Sequence, residues 1–245
     1  MPVPIQRSCS YSGALRALAL VRDNWYDHPE KRFMFAINHA ATALIINKVF
    51  KDVPILWILI SVQFMELLWV SLNYLGIEKT TTEKEVKYVG NIHLSYMPFS
   101  HSVLTMTGMS VLSWFVISKG FGKPEIGLAV GIGIASHLVL DLVTHSKDMA
   151  IVPYIKGPKF GLGLYADFPR LAFLLEIGYG TACWWIYGGS ISLLMVILLF
   201  NVANLPMFIA AIPGAKQKMT NRPLFITSIV FAQIVITLTL VGLLS

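Results

Sequence analysis

Apolar residues dominate seven stretches of this chain, and polar or charged residues and prolines separate them. The stretches lie at 33–49, 54–76, 101–118, 125–146, 170–188, 190–211 and 223–244. Each is about the length of helix that crosses roughly 30 Å of hydrocarbon at 1.5 Å per residue. The pattern predicts an all-α fold, a polytopic integral membrane helix bundle of about seven spans. We expect six spans if the first stretch is re-entrant, because that stretch is short and contains Asn38 and His39.

Composition supports the same fold class. Hydrophobic residues make up 56% of the 245 residues, charged residues only 13%, and the mean hydropathy is +0.67. Such a chain has too little polar surface for a soluble domain of this size. We predict one transmembrane domain over 33–245, preceded by a cytoplasmic amphipathic segment over 1–32. That segment has no clean apolar core, so we do not interpret it as a cleaved signal peptide.

The distribution of basic residues predicts the orientation. If all seven stretches cross, most of the 19 Lys and Arg lie on the side of the N-terminus. The positive-inside rule then places the N-terminus in the cytoplasm and the C-terminus outside. The net charge of +6 indicates contact with anionic membrane lipids. No motif indicates a nucleic acid partner, and the oligomeric state is not predicted.

The clearest chemical signal is a polar stripe in the fourth stretch. His137, Asp141 and His145 are spaced i, i+4, i+8, so a helix presents them on one face. Ionisable groups in a bilayer cost a few kcal/mol or more unless they face a bundle interior, water or a partner. The stripe therefore suggests a ligand-bearing site, and the alternative is a wet helix end with His145 at the interface.

Three further residues fall at the same predicted depth. Imidazole nitrogen and carboxylate oxygen are ligands of Zn²⁺ and similar ions, and His137 with Asp141 forms a convergent i, i+4 pair. His101 and Glu66 would complete the site with a second carboxylate. His39 is open to two interpretations, a hydrogen-bonded packing residue or a ligand. We predict a divalent metal cofactor, and zinc is the metal that we expect first.

Three residues are candidates for a general acid or base. His93 and His145 would lie beside the metal ligands or bind a second ion. A spare His or Glu could act as general base or acid, so the catalytic candidates are Glu66, His93 and His145. Glu66 could instead form a buried pair or line a solvated cavity.

Two loops complete the prediction. In loop 147–169 and at its boundary, Lys156, Lys159 and Arg170 surround several glycines, a composition that can bind phosphate and that also occurs in interfacial segments. Loop 77–100 carries alternating charges, beginning with Glu78 and Lys79, and we interpret it as a solvated surface segment.

The motifs PFSHSVL and SHLVLDLVTH together resemble the YdjM-like membrane proteins, a family regarded as membrane-bound metal-dependent hydrolases. The resemblance covers roughly residues 35–185. It implies a helical bacterial inner-membrane hydrolase with five metal ligands. They would be His39, Glu66, His101, His137 and Asp141.

We therefore expect a membrane-embedded hydrolase that uses metal-activated water on a phosphoester or related bond of a lipid or amphiphile. The site would open to the cytoplasmic leaflet. The alternative function is a metal-ion or proton-coupled transporter, which predicts further polar residues beyond the site, for example Asn201 and Asn204. Two other interpretations remain open, haem held by paired histidines and a structural protein without an ion.

Overall fold

The computed structural model describes residues 36–82, 92–145, 147, 149–153, 155, 157–208 and 222–245. The predicted amphipathic segment over 1–32 lies outside these residues. Within them the chain forms helices joined by short loops and two small hairpins. In chain order the elements are α1 (Ala36–Val49), α2 (Ile55–Val62), α3 (Phe64–Tyr74), β1 (Lys79–Thr82), β2 (Ile92–Tyr96), α4 (Val103–Phe115, continued by a π-helical turn over Val116–Gly120), α5 (Pro124–Thr144), β3 (Met149–Ala150), β4 (Lys159–Phe160), α6 (Leu164–Asp167), α7 (Pro169–Tyr187), α8 (Ile191–Ala203), α9 (Leu205–Phe208) and α10 (Pro223–Leu244).

Four helical segments of the described chain are long and apolar enough to cross a membrane. They are Val103–Gly120, Pro124–Thr144, Ile191–Phe208 and Pro223–Leu244. The pair α2 and α3 would be a fifth, although the two helices are bent by 52° at their junction. The protein is thus an all-α membrane helix bundle with four or five candidate spans.

Helix also forms in the other two predicted stretches, but neither meets the same test. α1 has only 14 residues, and most of them are buried against α2, α5, α7 and α10. α7 has 19 residues, a sufficient length, but is less apolar. The prediction of seven spans is therefore not confirmed.

Small residues allow α5 to pack closely against α2. A Cβ atom added to Gly133 would lie 1.9 Å from Ser61 Oγ and 2.9 Å from Ser61 Cβ. Gly127 and Gly131 approach α4 and its π-helical continuation in the same way. Because α5 carries two of the candidate ligands, this contact sets their position relative to α2 and α3.

Gly133→Ala is expected to lower the free energy of unfolding by about 1–3 kcal/mol, because overpacking forces neighbouring helices apart. Thermal unfolding in one detergent would measure the change. Gly108→Ala in α4 is the matched control, since its Cβ would meet nothing within 4 Å. The double variant Gly133→Ala with Ser61→Gly should recover stability. A Gly133→Ala protein as stable as wild type would contradict the packing explanation.

The junction of α2 and α3 is tied to the start of α1. Gln63 lies between the two helices with φ −107° and ψ 1°, and its Nε2 donates to the carbonyl of Ala36 at 2.6 Å. This hydrogen bond brings the first turn of α3, which holds Glu66, beside the first turn of α1, which holds His39.

The segment after α5 folds back over the end of that helix. The amide of Gly163 donates to the carbonyl of His145 at 2.6 Å, and the amide of Leu162 donates to Leu142 at 2.8 Å. Gly163 has φ +74°, a left-handed conformation that glycine adopts without strain. The segment therefore covers the end of α5 where the polar stripe lies.

Candidate metal centre

Six ionisable side chains meet in the interior of the bundle. α1 and α3 contribute one each, the turn before α4 another, α5 two, and the residue after α5 the last. All six residues are at most 5% exposed. They are His39, Glu66, His101, His137, Asp141 and His145, and overlapping groups of three among them have ligand atoms within 4.8 Å of one another.

Asp141 and Glu66 each lie close to both His101 and His137, and we call these four side chains the four-ligand set. Asp141 Oδ2 lies 3.2 Å from His137 Nε2 and 3.6 Å from His101 Nε2. Glu66 Oε2 lies 3.5 Å from His101 Nε2 and 3.9 Å from His137 Nε2. Ligands about 2.0–2.1 Å from a tetrahedral ion are separated by about 3.3 Å. The measured separations are therefore close to those of an ion-binding set.

The second oxygen of Asp141 faces two more histidines. Its Oδ1 lies 3.6 Å from His39 Nε2 and 3.9 Å from His145 Nε2. The rings of His39 and His137 are stacked, with centroids 4.0 Å apart and planes inclined by 12°. Stacked rings leave no space for a porphyrin between them, so this pair cannot hold a haem as its two axial ligands.

Several ligand atoms of the cluster are buried without a hydrogen bond among the described residues. They include His101 Nε2, His137 Nε2 and Asp141 Oδ2, which face one another. A buried polar group without a partner costs about 1–3 kcal/mol, and a charged one costs more. A cation among these atoms would satisfy them together, so the residues present fit a divalent metal ion, whose identity the donors do not specify.

A backbone contact sets the orientation of His137. Its Nδ1 lies 2.8 Å from the carbonyl oxygen of Val62 at the end of α2. A carbonyl only accepts, so Nδ1 carries a proton, and in the neutral ring Nε2 has a lone pair directed at Glu66 and Asp141. This is the tautomer that a metal ligand requires.

The structure places His145 and His101 differently from the prediction. Both were predicted within transmembrane stretches, but α5 ends at Thr144 and α4 begins at Val103. His145 has extended backbone angles and still turns its ring into the cluster. It is fully buried, so the prediction that its ring lies at a wet helix end is wrong.

The other predicted site residues are His93, Lys156, Lys159 and Arg170. His93 is in β2, opposite Thr81, and its side chain is outside the described part. Lys156 is also outside it. Lys159 is half-buried in β4, and Arg170 is exposed in the first turn of α7. The proposed roles of these residues stay predictions.

Sequence reasoning missed Glu78, which it assigned to a solvated loop. Glu78 is 1% exposed. Its Oε1 accepts from the amides of Phe99 and Ser100, both at 2.9 Å, and its Oε2 accepts from Ser100 Oγ at 2.5 Å. Burial raises the pKa of this carboxyl, and the hydrogen bonds from Ser100 and Phe99 partly oppose that rise. The alternating charges of the surrounding loop are typical of a solvated segment, so the sequence carried no signal that Glu78 is buried.

A second buried polar group was also missed, and we call it the Glu176 network. The Glu176 carboxylate accepts from Tyr165 Oη and from Asn38 Nδ2, and Asn38 Nδ2 also lies 3.2 Å from Asn201 Oδ1. Because Asn38 precedes His39, this network adjoins the cluster of candidate metal ligands. The signal was available in the sequence, since Glu176 is an acidic residue within a predicted membrane stretch.

Comparisons with protein-family models, curated proteins and solved structures give no match to this chain. The resemblance to the YdjM-like proteins is neither supported nor contradicted by them. Inferences about function must therefore come from the site itself.

Proposed function

We propose that this protein is a membrane-embedded, metal-dependent hydrolase of a phosphoester or related bond in a lipid or amphiphile. The observation that carries the proposal is the four-ligand set, in which His101 Nε2, His137 Nε2 and Asp141 Oδ2 are buried and have no hydrogen bond among the described residues. Two carboxylates oppose the 2+ charge of an ion, which lowers the cost of placing it among apolar helices. Zinc suits a donor set of imidazole and carboxylate.

The ion would supply Lewis-acid chemistry, which activates a water molecule as a nucleophile near neutral pH. Three of Glu66, His101, His137 and Asp141 would hold it, because a catalytic site keeps one coordination position open for water. His39 and His145, which lie near the other oxygen of Asp141, would accept a proton from the water and return one to the leaving alcohol. In a phosphoester the water oxygen would bond to phosphorus as the bond to the alcohol oxygen breaks.

The substrate and the topology belong to the same proposal. Lys159 and Arg170 would steer an anionic head group, and Lys156 would join them. If α1 and α7 also cross the membrane, the chain has seven spans. The N-terminus would then lie in the cytoplasm and the site towards the inner leaflet. Membrane lipids are then both the solvent and the source of substrate.

Hydrolysis is tested with zinc-loaded protein in vesicles of mixed phospholipids. Wild type should release a water-soluble phosphate-containing product, and Asp141→Asn should release none above background. Asp52→Asn is the matched control, because Asp52 is exposed between α1 and α2. Metal-loaded wild type that releases no product from any phospholipid would contradict the hydrolase.

A specific observation favours transport as the second candidate function. The Glu176 network adds further buried polar residues to the bundle interior, among them Asn201, which the transporter alternative names. Asn204 is also buried, and its Oδ1 accepts from Gln233 at 2.9 Å. Zinc or proton uptake into sealed vesicles, abolished by Glu176→Gln and unaccompanied by product release, would favour the transporter.

A further inference from the structure

Glu78 and Ser100 form a hydrogen-bonded chain that ends at a candidate metal ligand. Ser100 Oγ lies 2.5 Å from Glu78 Oε2 and 2.7 Å from His101 Nδ1. All three residues are at most 1% exposed, so water does not compete for these contacts. None of the sequence patterns assigned a role to these hydrogen bonds between Glu78, Ser100 and His101.

The Glu78 carboxylate determines which atoms donate in these hydrogen bonds. An ionised carboxylate only accepts, so the hydroxyl proton of Ser100 is directed towards Glu78. The oxygen of Ser100 then presents a lone pair to His101, and Nδ1 of His101 must be the nitrogen that carries the proton. In the neutral ring Nε2 then has a lone pair, 3.5 Å from Glu66 Oε2 and 3.6 Å from Asp141 Oδ2.

The same carboxylate also holds the turn that carries His101. Glu78 Oε1 accepts both backbone amides that precede this residue, from Phe99 and Ser100. The next residue, Ser102, caps α4 through the amide of Thr105 at 3.3 Å. The turn is thus fixed at both ends, and the ring of His101 has a defined position.

We propose that Glu78 is a positioning residue that acts through Ser100 to hold His101 in the tautomer that binds metal through Nε2. This inference rests on the proposed metal centre for its functional meaning. The tautomer itself is a property of the metal-free protein. Its failure can therefore be separated from failure of the proposed function.

Glu78→Gln tests the direction of the chain with almost no change in shape. The side-chain amide of the variant can still accept the amides of Phe99 and Ser100 through its carbonyl oxygen, while its NH₂ group donates to Ser100 Oγ. The hydroxyl then turns towards Nδ1 of His101, and the imidazole proton moves to Nε2. Zinc affinity should fall by about 10–100-fold, as it does when a hydrogen-bond partner of a metal ligand is lost.

The decisive measurement is ¹⁵N NMR of metal-free, histidine-labelled protein in detergent. The His101 signals are identified by their absence in His101→Gln. Wild type should show a protonated Nδ1 and an unprotonated Nε2, and Glu78→Gln should show the reverse or a mixture. Glu125→Gln, at an exposed position in the first turn of α5, should match wild type in both spectrum and zinc affinity.

Ser100 provides a second pair of variants if Glu78→Gln does not fold. Ser100→Ala should shift the tautomer and weaken zinc binding, and Ser100→Thr, which keeps the hydroxyl, should restore both. A wild-type His101 with its proton on Nε2, or a Glu78→Gln protein with unchanged shifts, would overturn the proposal. If wild type shows the expected tautomer but binds no zinc, the positioning role stands and the hydrolase fails.

Discussion

Asp141→Asn is expected to abolish metal binding by the purified protein. Asp141 is the residue whose two oxygens face four imidazoles, with oxygen-to-nitrogen distances of 3.2–3.9 Å. The variant keeps the shape of the side chain but removes the negative charge and one acceptor oxygen. Metal analysis of the detergent-purified protein should therefore fall from at least one equivalent of bound zinc to background.

The control for this prediction is Asp52→Asn, which removes the same charge at an exposed site. It should retain the wild-type metal content. Comparison of unfolding temperatures without metal would show that both variants are folded. Full metal content in Asp141→Asn would contradict the ligand assignment.

Glu176→Ala is expected to give the largest loss of stability, about 2–4 kcal/mol. The change leaves Tyr165 Oη and Asn38 Nδ2 without the carboxylate that accepts from them, and it creates a cavity in a buried site. Denaturant unfolding in detergent would measure the loss. The cluster keeps all its ligand atoms, so folded protein should still bind zinc.

Glu125→Ala is the matched control, because Glu125 is exposed at the start of α5. Its stability should equal that of wild type. A Glu176→Ala protein as stable as this control would show that the Glu176 network does not stabilise the bundle. In that case an ionisable role in transport would become the better explanation for its burial.

Hydrophobic patterning predicted the fold class because membrane helices are recognisable by their length and composition. The four helical segments that qualify as spans lie at predicted stretches, for example α10 at 223–244. The pattern could not show how many of the apolar stretches cross the membrane. α1 is apolar because other helices surround it, and burial in protein and burial in lipid select the same residues.

The i, i+4 spacing in α5 located half of the four-ligand set. Helical periodicity is a local property, so it placed His137 and Asp141 on one face before any tertiary information. It could not show that a break after Val62 presents a carbonyl to His137, because that contact depends on how α2 and α5 pack. Nor could it show that His145 leaves the helix and still joins the cluster.

Glu78 was missed for a related reason. A charged residue next to Lys79 and ahead of further charges is typical of a solvated loop. Its burial depends on the turn at Phe99 and Ser100, more than 20 residues along the chain. Contacts of this range are set by the whole fold, and a local pattern carries no signal for them.

The most direct test of the account is a zinc titration of metal-free wild-type protein by calorimetry in detergent, with the metal content determined in parallel. The account predicts saturable binding of at least one equivalent and a rise in unfolding temperature with zinc, since a ligand that binds only the folded state stabilises it. Protein that binds no zinc, and whose unfolding temperature is unchanged by zinc or any other divalent metal, would contradict the metal centre.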